Sequence, residues 1–395
     1  MVIEKRIKGL FITHVPLMHI YGAATSLRLY LKNNKDIDAT IITPMPLNPL
    51  KWWNKEVLKK EKEYFQGKVK NIYRFFLPID LCYEGHPKNI FIIIFFIKKI
   101  LFHLFKWQIN RLCFQEKYDF IYLNSVCLNS LIINPKKYKY ILHVREVLDD
   151  CVSKKILSRI RQCKGVIFID AKTQQSFLDK NLIFENCKIL INPVDMTPLK
   201  EIQNQEIDNF LELYNLKYYY HDKYKIFSVI GTIIPLKGVD FIIKSFLEAK
   251  LDRSILLVVG SEADKKYSQE CRKLSQGYQG EERVRFLGEI NDINKIYYIS
   301  DFIVRGEPDF RIGRTILEGL YSGCGVILPV EQNDVYEEFS YFKEKIYRYK
   351  PRDINDMVRV LKICNNDVVE KKEYKSNAIE YTKKMNEFIC NIVRF

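Results

Sequence analysis

The sequence predicts an α/β protein made of two doubly wound domains, each with a parallel sheet between layers of helices. The chain has 395 residues, which is enough for two domains of ordinary size. Short apolar runs without polar alternation recur between longer amphipathic stretches, a pattern typical of strands buried on both faces. The runs form two series, and a turn signal, Asn-Pro-Val-Asp at residues 192–195, lies between them.

Each apolar run is a predicted strand, and residues 23–32 are a predicted helix because Leu27, Tyr30 and Leu31 share one face. The first series of strands is 8–13, 39–43, 120–123, 140–144 and 165–169. The second series is 226–230, 255–259, 284–287, 302–304 and 326–328. We therefore place a first domain at residues 1–195 and a second at 196–395, whose C-terminal helix is a candidate to pack back on the first domain.

The net charge of +15 is confined to the first half of the chain. Residues 1–195 carry 32 basic and 17 acidic side chains, whereas residues 196–395 carry 31 of each. A positive field over one domain favours an anionic partner there, such as a membrane surface, a nucleic acid or an acidic substrate. A solvated lysine-rich surface would give the same count.

The cysteines and the N-terminus predict a reduced, cytoplasmic protein. The 10 cysteines include no C-x-x-C pair and no Cys/His spacing typical of zinc, so we expect no metal site from them. Charged residues at positions 4–8 interrupt the first apolar run, which argues against a signal peptide.

Two segments of the basic half mix apolar and basic side chains. Residues 90–97 read Ile-Phe-Ile-Ile-Ile-Phe-Phe-Ile, far short of the roughly 20 residues that a spanning helix needs. Three interpretations compete for the stretch Ile90–Trp107: a buried strand or helix, an interfacial helix with Lys98, Lys99 and Lys106 at the phosphate level, and a true span. The second segment is Trp52-Trp53, which several lysines follow.

Two glycine-containing segments of the second half are candidates for phosphate binding. Gly231–Gly238, Gly-Thr-Ile-Ile-Pro-Leu-Lys-Gly, follows a buried strand and precedes a helix, so backbone N–H groups and Lys237 are available to a phosphate. Its spacing is neither a P-loop nor G-x-G-x-x-G, and the segment can also simply open a helix. The second segment, Gly313–Gly319, places Glu318 on the second turn of a helix, where a carboxylate can accept two hydrogen bonds from a ribose diol.

The ordered set of these motifs resembles the retaining glycosyltransferases with the GT-B fold, called family 4 or glycosyl transferases group 1. In the second half, the resemblance rests on the Lys237-Gly238 pair after a strand, on 256–260, 284–288 and 297–302, and on 313–318 before 322–327. In the first half, residues 21–27 resemble the family's acceptor loop, His143-Val144-Arg145-Glu146 its mid-domain His motif, and residues 192–195 its interdomain segment. The resemblance implies two Rossmann-like domains facing across a cleft.

The resemblance also implies roles for individual residues. Lys237 would contact the donor diphosphate, Glu318 would hold the ribose hydroxyls, and His143 would approach the transferred sugar. The other residues implied are Gly231, Gly313, Arg314 and Thr315 around the donor, and Gly22, Ala23 and Arg145 on the acceptor side.

The sequence departs from the family pattern at two places. The family usually has an Arg shortly after the glycine matching Gly231, but Thr232 and Ile233 stand here, so that contact is missing or Arg314 or Arg311 replaces it. The family also shows Glu-x7-Glu, and residue 310 is Phe rather than Glu. We favour Glu307 over Asp309 as the first carboxylate of that pair.

Together these observations predict a glycosyltransferase that moves a sugar from a UDP- or GDP-sugar to a glycan or lipid-linked acceptor in cell-surface polysaccharide synthesis. We expect no cofactor and no metal, no nucleic-acid partner, and a cytoplasmic enzyme that is peripheral on an anionic membrane. The alternatives are a nucleotide-sugar epimerase of GT-B fold and a non-enzymatic polyanion-binding protein, for which no nucleic-acid-binding motif is evident.

Overall fold

A computed structural model of the chain contains two compact α/β units. It describes residues 6–18, 22–44, 55–65, 67–75, 92–150, 152–196, 202–276, 283–308, 313–330, 342–371 and 376–394, with the backbone alone at 55–58 and 92–99. Unit 1 comprises Met1–Pro193 and Asn377–Phe395, and unit 2 comprises Val194–Ser376.

Unit 1 is built on a seven-stranded sheet in which every neighbouring pair of strands is parallel. The strand order is β3-β2-β1-β4-β5-β6-β7. The strands are β1 Ile7–Ile12, β2 Ile37–Pro44, β3 Val69–Phe75, β4 Phe120–Leu123, β5 Tyr140–Val144, β6 Gly165–Phe168 and β7 Cys187–Ile189. The helices are α1 Gly22–Asn33, α2 Lys55–Phe65, α3 Ile92–Glu116, α4 Lys154–Ile160, α5 Ala171–Leu178 and, from the end of the chain, α13 Ala378–Arg394.

The C-terminal helix α13 is part of the core of unit 1. Met385 and Ile389 are fully buried in the same apolar cluster as residues of α1 and the sheet. The Tyr30 hydroxyl of α1 donates a 2.7 Å hydrogen bond to Asn386 Oδ1 of α13. Helix α13 therefore covers one face of the first sheet, although it follows unit 2 in the sequence.

Unit 2 repeats the architecture with six parallel strands in the order β10-β9-β8-β11-β12-β13. The strands are β8 Lys225–Ile230, β9 Ser254–Val259, β10 Val284–Gly288, β11 Phe302–Val304, β12 Gly325–Pro329 and β13 Ile346–Tyr349. The helices are α6 Asn204–Leu213, α7 Lys217–His221, α8 Val239–Ala249, α9 Lys265–Ser275, α10 Asn294–Ile299, α11 Arg314–Tyr321 and α12 Ile354–Asn366. The predicted pair of doubly wound parallel sheets is confirmed.

The apolar stretch that allowed three interpretations begins a long helix. Helix α3 covers Ile92–Glu116, so the structure contradicts a strand in this stretch and confirms a helix, whose positions 102, 105, 109 and 112 are buried. Residues 90 and 91 and the pair Trp52-Trp53 lie outside the described residues. Within the described part of the chain, every helix falls short of the combined length and apolarity that a membrane-crossing helix requires.

Candidate active site

The order of strands in unit 2 predicts where a ligand would bind. Strands β8 and β11 are neighbours, and the chain continues from β8 to one side of the sheet and from β11 to the other. In open parallel sheets, ligands bind beyond the carboxyl ends of the strands at such a switch point. The segments of interest are therefore the loop Gly231–Gly238 after β8 and the residues directly after Val304 at the end of β11.

Two glycines bring these segments into backbone contact. Gly238 has a left-handed backbone with φ of 59°, and a Cβ atom there would lie 1.8 Å from the carbonyl oxygen of Gly306. A Cβ on Gly306 would in turn lie 2.5 Å from the carbonyl oxygen of Gly238. Only glycine fits at both positions, and this close approach places Lys237 next to Glu307.

The carboxylate of Glu307 lies between two cations. Its Oε1 accepts a 3.0 Å hydrogen bond from Lys237 Nζ, and its Oε2 accepts one of 2.9 Å from Arg305 Nε. Arg305 also donates to Oε1 through a second guanidinium nitrogen, so the pair is bidentate. The side chains of Arg305 and Glu307 are 7% and 3% exposed, whereas that of Lys237 is 35% exposed. The lysine is therefore the cation of this cluster that a ligand can reach.

The cations keep Glu307 ionised in spite of its burial. Burial alone would raise the pKa of this carboxyl group, but the charge and hydrogen bonds of Arg305, followed by those of Lys237, outweigh it and hold the pKa below its ordinary value. The cluster thus carries one fixed negative charge against two positive charges. A dianionic ligand arriving at Lys237 would meet a site whose positive charge is partly balanced in advance.

Arg305 also connects this cluster to the start of helix α11. Its guanidinium donates to Thr315 Oγ1, and a Cβ atom on Gly313 would lie 2.7 Å from the same guanidinium. Gly313 is the residue that precedes α11, and the first backbone N–H groups of any helix lack intrahelical acceptors. The predicted donor residues Gly313 and Thr315 therefore lie beside the guanidinium that holds Glu307.

Glu318, the predicted ribose ligand, is held by two side chains of unit 2. Its Oε1 accepts hydrogen bonds of 3.0 and 2.7 Å from Nε and Nη2 of Arg314, and its Oε2 accepts one of 2.8 Å from the Tyr297 hydroxyl. Burial first, and then the neighbouring charge of Glu318, raises the pKa of Tyr297, which remains a donor. A carboxylate offers about four acceptor positions, so three are used here. A diol that takes two would have to displace one of these three bonds.

In unit 1, the predicted acceptor residues belong to one network at the corresponding edge of the first sheet. Helix α1 begins at Gly22, and the carbonyl oxygen of Ala23 accepts a 3.1 Å hydrogen bond from Asn124 Nδ2. Arg145, just after β5, donates to Asn124 Oδ1 at 2.9 Å and to Asn192 Oδ1. The arginine thereby connects the ends of three segments near the switch point between β1 and β4.

His143, predicted to approach the transferred sugar, has no exposed surface in unit 1. Its Nδ1 is in contact with the Tyr122 hydroxyl and lies 3.3 Å from Nη2 of Arg145. Burial, followed by the charge of Arg145, lowers its pKa well below the ordinary value, so the ring is neutral. Direct contact with a sugar would require the ring to become exposed, and its catalytic role stays a prediction.

Three further residues of these two edges were not predicted from the sequence: Arg305, Tyr297 and His14. His14 is the second residue after β1, and its Nδ1 is buried without a hydrogen-bond partner among the described residues. Burial and then the charge of Arg145 lower its pKa to about 4. Arg305 and His14 share a signal that could have found them, because each polar side chain stands within two residues of the end of a buried strand.

Other residues considered from the sequence lie outside the described residues: Tyr21 of the acceptor loop, Asp309 and Arg311. The structure therefore describes Glu307 but not Asp309, and the choice between the two as the first carboxylate of the pair stays a prediction. In the ranges that are described, no group of three or more His, Cys, Asp or Glu side chains is arranged to hold a metal ion.

The fold, with two Rossmann-like units, is the GT-B fold, and several solved glycosyltransferases match it. The crystal structure of Anabaena Alr3699/HepE in complex with UDP and glucose matches at a TM-score of 0.69 and 16% identity, covering 98% of this chain and 100% of that chain. A glycosyltransferase from Rickettsia africae ESF-5 matches at 0.67 and 14%, covering 99% and 96%. The lipopolysaccharide outer core galactosyltransferase WaaB in its apo form matches at 0.63 and 15%, covering 98% and 99%.

A family model gives the more specific assignment. Residues 217–385 match the model described as glycosyl transferases group 1, which covers most of unit 2. No curated protein sequence matches the chain. Most of unit 2 is thus similar to the group 1 glycosyltransferases, and the match spans less than half of the chain.

Proposed function

We propose that the chain is a retaining glycosyltransferase of family 4 that transfers a sugar from a UDP- or GDP-sugar to a glycan or lipid-linked acceptor. The observation that carries the proposal is the cluster of Lys237, Glu307 and Arg305 at the switch point of unit 2. Arg305 of this cluster contacts the first turn of α11, the helix that carries Glu318. A phosphate-reachable cation and a ribose-compatible carboxylate at one sheet edge suit a nucleoside diphosphate. Structures of Alr3699/HepE with UDP and with UDP-glucose support a UDP-sugar as the donor to test first.

The chemistry required is stabilisation of a departing diphosphate. As the bond between the sugar C1 and the phosphate oxygen breaks, negative charge grows on the diphosphate, and Lys237 together with the N–H groups at the start of α11 would stabilise it. In front-face attack, the acceptor oxygen bonds to C1 on the side that the phosphate leaves, and the departing phosphate takes the acceptor proton. The configuration at C1 is then retained, and no carboxylate nucleophile is required.

Glu318 and Arg314 would respond together to the donor. When the ribose hydroxyls donate to Glu318, at least one hydrogen bond of Arg314 is displaced, and the guanidinium becomes available to a phosphate oxygen. Tyr297 would keep the carboxylate in position during this exchange. Glu307 would hold Lys237 and Arg305 in place between turnovers.

The acceptor would bind at the edge of unit 1 formed by Arg145, the start of α1 and His14. His14 is neutral there, so it can accept a hydrogen bond from a sugar hydroxyl without attracting a second charge, whereas the fully buried His143 would first have to become exposed. The excess of basic residues in the first 195 positions suits a lipid-linked acceptor in an anionic membrane. We therefore place the enzyme in the cytoplasm, peripheral on the membrane, in cell-surface polysaccharide synthesis.

The test is turnover with a panel of UDP- and GDP-sugars and short glycan or polyprenyl-linked acceptors, followed by nuclear magnetic resonance of the product. The proposal expects one donor class to be consumed and the new glycosidic bond to keep the anomeric configuration of the donor. A product with the opposite anomeric configuration would contradict the retaining mechanism, but the proposal of a glycosyltransferase would still hold. Conversion of the nucleotide sugar without transfer to any acceptor would instead favour a nucleotide-sugar epimerase.

A further inference from the structure

Helix α3 of unit 1 exposes a line of large apolar side chains. Ile100, Leu104, Trp107 and Phe114 are 61%, 54%, 59% and 72% exposed, and Arg111 continues the same line. These five residues, called the α3 stripe below, are spaced by four, three, four and three positions, so they share one side of the helix. At about 1.5 Å per residue the stripe is roughly 21 Å long.

The opposite side of α3 fixes the orientation of the stripe. Phe102, Phe105, Ile109 and Leu112 are buried in the core cluster of unit 1. The ring of Phe105 packs edge-on against Phe75 of β3, with 5.7 Å between the ring centres. The buried side of α3 holds the helix in a fixed orientation against the core of unit 1. The apolar residues of the stripe therefore face outward although the helix is well packed. Contiguous exposed apolar surface of this kind is unusual on a soluble monomer and marks an interaction site.

Basic side chains accompany the stripe. The guanidinium of Arg111 lies 5.7 Å from the ring centre of Trp107, and Lys137 Nζ lies 5.5 Å from that of Phe114. Glu116 is the one acidic residue of α3, and it is paired with Lys70 at 2.8 Å. The charge that surrounds the apolar line is therefore positive.

We propose that the α3 stripe is the surface by which the enzyme docks on an anionic bilayer. Trp107 and Phe114 would enter the boundary between headgroups and acyl chains, while Arg111 and Lys137 remain at the level of the lipid phosphates. The inference rests on the proposed function only in that a lipid-linked acceptor requires the enzyme to reach a membrane. A second copy of the chain suits the stripe less well, because a symmetric pair would bring these cations against one another.

The experiment is co-sedimentation of the full chain with vesicles of phosphatidylcholine and of equimolar phosphatidylcholine and phosphatidylglycerol. We expect binding to the anionic vesicles only, falling as salt is raised. Leu104→Glu/Trp107→Glu should weaken binding at least tenfold. Arg111→Glu/Lys137→Glu should weaken it by about 25-fold or more, since each basic residue near such a surface is worth about fivefold.

Two matched variants control for the added negative charge. Leu178→Glu/Ile183→Glu changes two exposed apolar residues of unit 1 outside α3, and Lys154→Glu/Lys164→Glu reverses two exposed lysines there. Both controls should bind anionic vesicles within about threefold of the unmodified chain, because membrane attraction falls off within a Debye length of the surface. Equal losses in the controls and in the stripe variants would overturn the assignment of the docking surface to α3.

A fluorescence measurement locates the contact directly. The chain has three tryptophans, so Trp52→Phe/Trp53→Phe leaves Trp107 as the single indole. Its emission should shift to the blue and become protected from iodide when anionic vesicles are added, and an unchanged spectrum with bound vesicles would overturn the proposal. So would a lipid-free dimer that Leu104→Glu/Trp107→Glu dissociates. UDP binding by each variant reports separately on the proposed function, because the nucleotide residues lie in unit 2.

Discussion

Replacing Glu307 by Gln removes the negative charge between Lys237 and Arg305 while keeping the size of the side chain. The structure predicts unequal effects on the two cations. Lys237 is 35% exposed and can turn toward water, whereas Arg305 is 7% exposed and retains Thr315 and one amide oxygen as acceptors. The variant therefore leaves a buried, uncompensated guanidinium in unit 2.

The expected loss is at the lower end of the range for a broken buried ion pair, about 3 kcal/mol. For a unit of this size, that corresponds to a fall in melting temperature of roughly 6–12 °C, measured by calorimetry of the full chain. The matched control is Lys237→Ala, which leaves the bidentate pair of Arg305 and Glu307 intact and should cost no more than about 1 kcal/mol.

Two further observations decide whether charge causes the loss. Arg305→Met/Glu307→Gln should melt above Glu307→Gln alone, because it removes the uncompensated charge. The pKa of Glu307 is lowered, so its stabilisation is present above the ordinary value of 4.5 and lost as pH falls through the folded-state value. The difference in stability between the unmodified chain and Glu307→Gln should thus be largest at pH 7 and should become smaller as the pH falls into the acid range. A melting temperature of Glu307→Gln within 2 °C of the unmodified chain, which corresponds to about 1 kcal/mol or less, would refute the reasoning.

The remaining predictions concern single residues of the two sheet edges. Glu318→Ala should weaken the affinity for the nucleoside diphosphate by roughly 1.5–3 kcal/mol in titration calorimetry, as for hydrogen bonds to a charged group. Lys237→Ala should lower turnover by orders of magnitude and Lys237→Arg should restore it in part, because a planar fork replaces a point charge. At temperatures where both variants are folded, Glu307→Gln should reduce turnover and Asp309→Asn should not. In a proton magnetic resonance titration, His14 should stay neutral down to about pH 4. The unfolded chain protonates histidine near the ordinary pKa of about 6.5, so unit 1 should lose stability as the pH falls below that value. The variant His14→Gln should reduce that loss.

The central strands could be predicted because they are buried on both faces and read as continuous apolar runs. The three strands missed, β3, β7 and β13, are all edge strands of their sheets. Strand β3 contains Lys70, Asn71 and Arg74, and β13 contains Arg348, because one side of an edge strand is not covered by another strand. Apolar continuity therefore identifies the interior of a parallel sheet better than its margins.

The pairings within the site could not be predicted from spacing. Lys237 and Glu307 are 70 positions apart and meet because Gly238 and Gly306 let two loops touch, a contact with no periodic signal. Arg305 was overlooked because an Arg after a short buried strand looks like an ordinary strand end. The burial of His143 was also hidden, since a His inside a β run can face either side of a sheet.

The central claim is that unit 2 binds a nucleoside diphosphate through Lys237 and Glu318. The measurement that tests it most directly is thermal stabilisation of the full chain by UDP and by GDP, compared with the variants Lys237→Ala and Glu318→Ala. At about 100 times its dissociation constant for the unmodified chain, one of the two nucleotides should stabilise that chain by about 2.7 kcal/mol, and each variant should lose most of this effect at the same concentration. Stabilisation by neither nucleotide, or an equal effect in the unmodified chain and both variants, would contradict the claim.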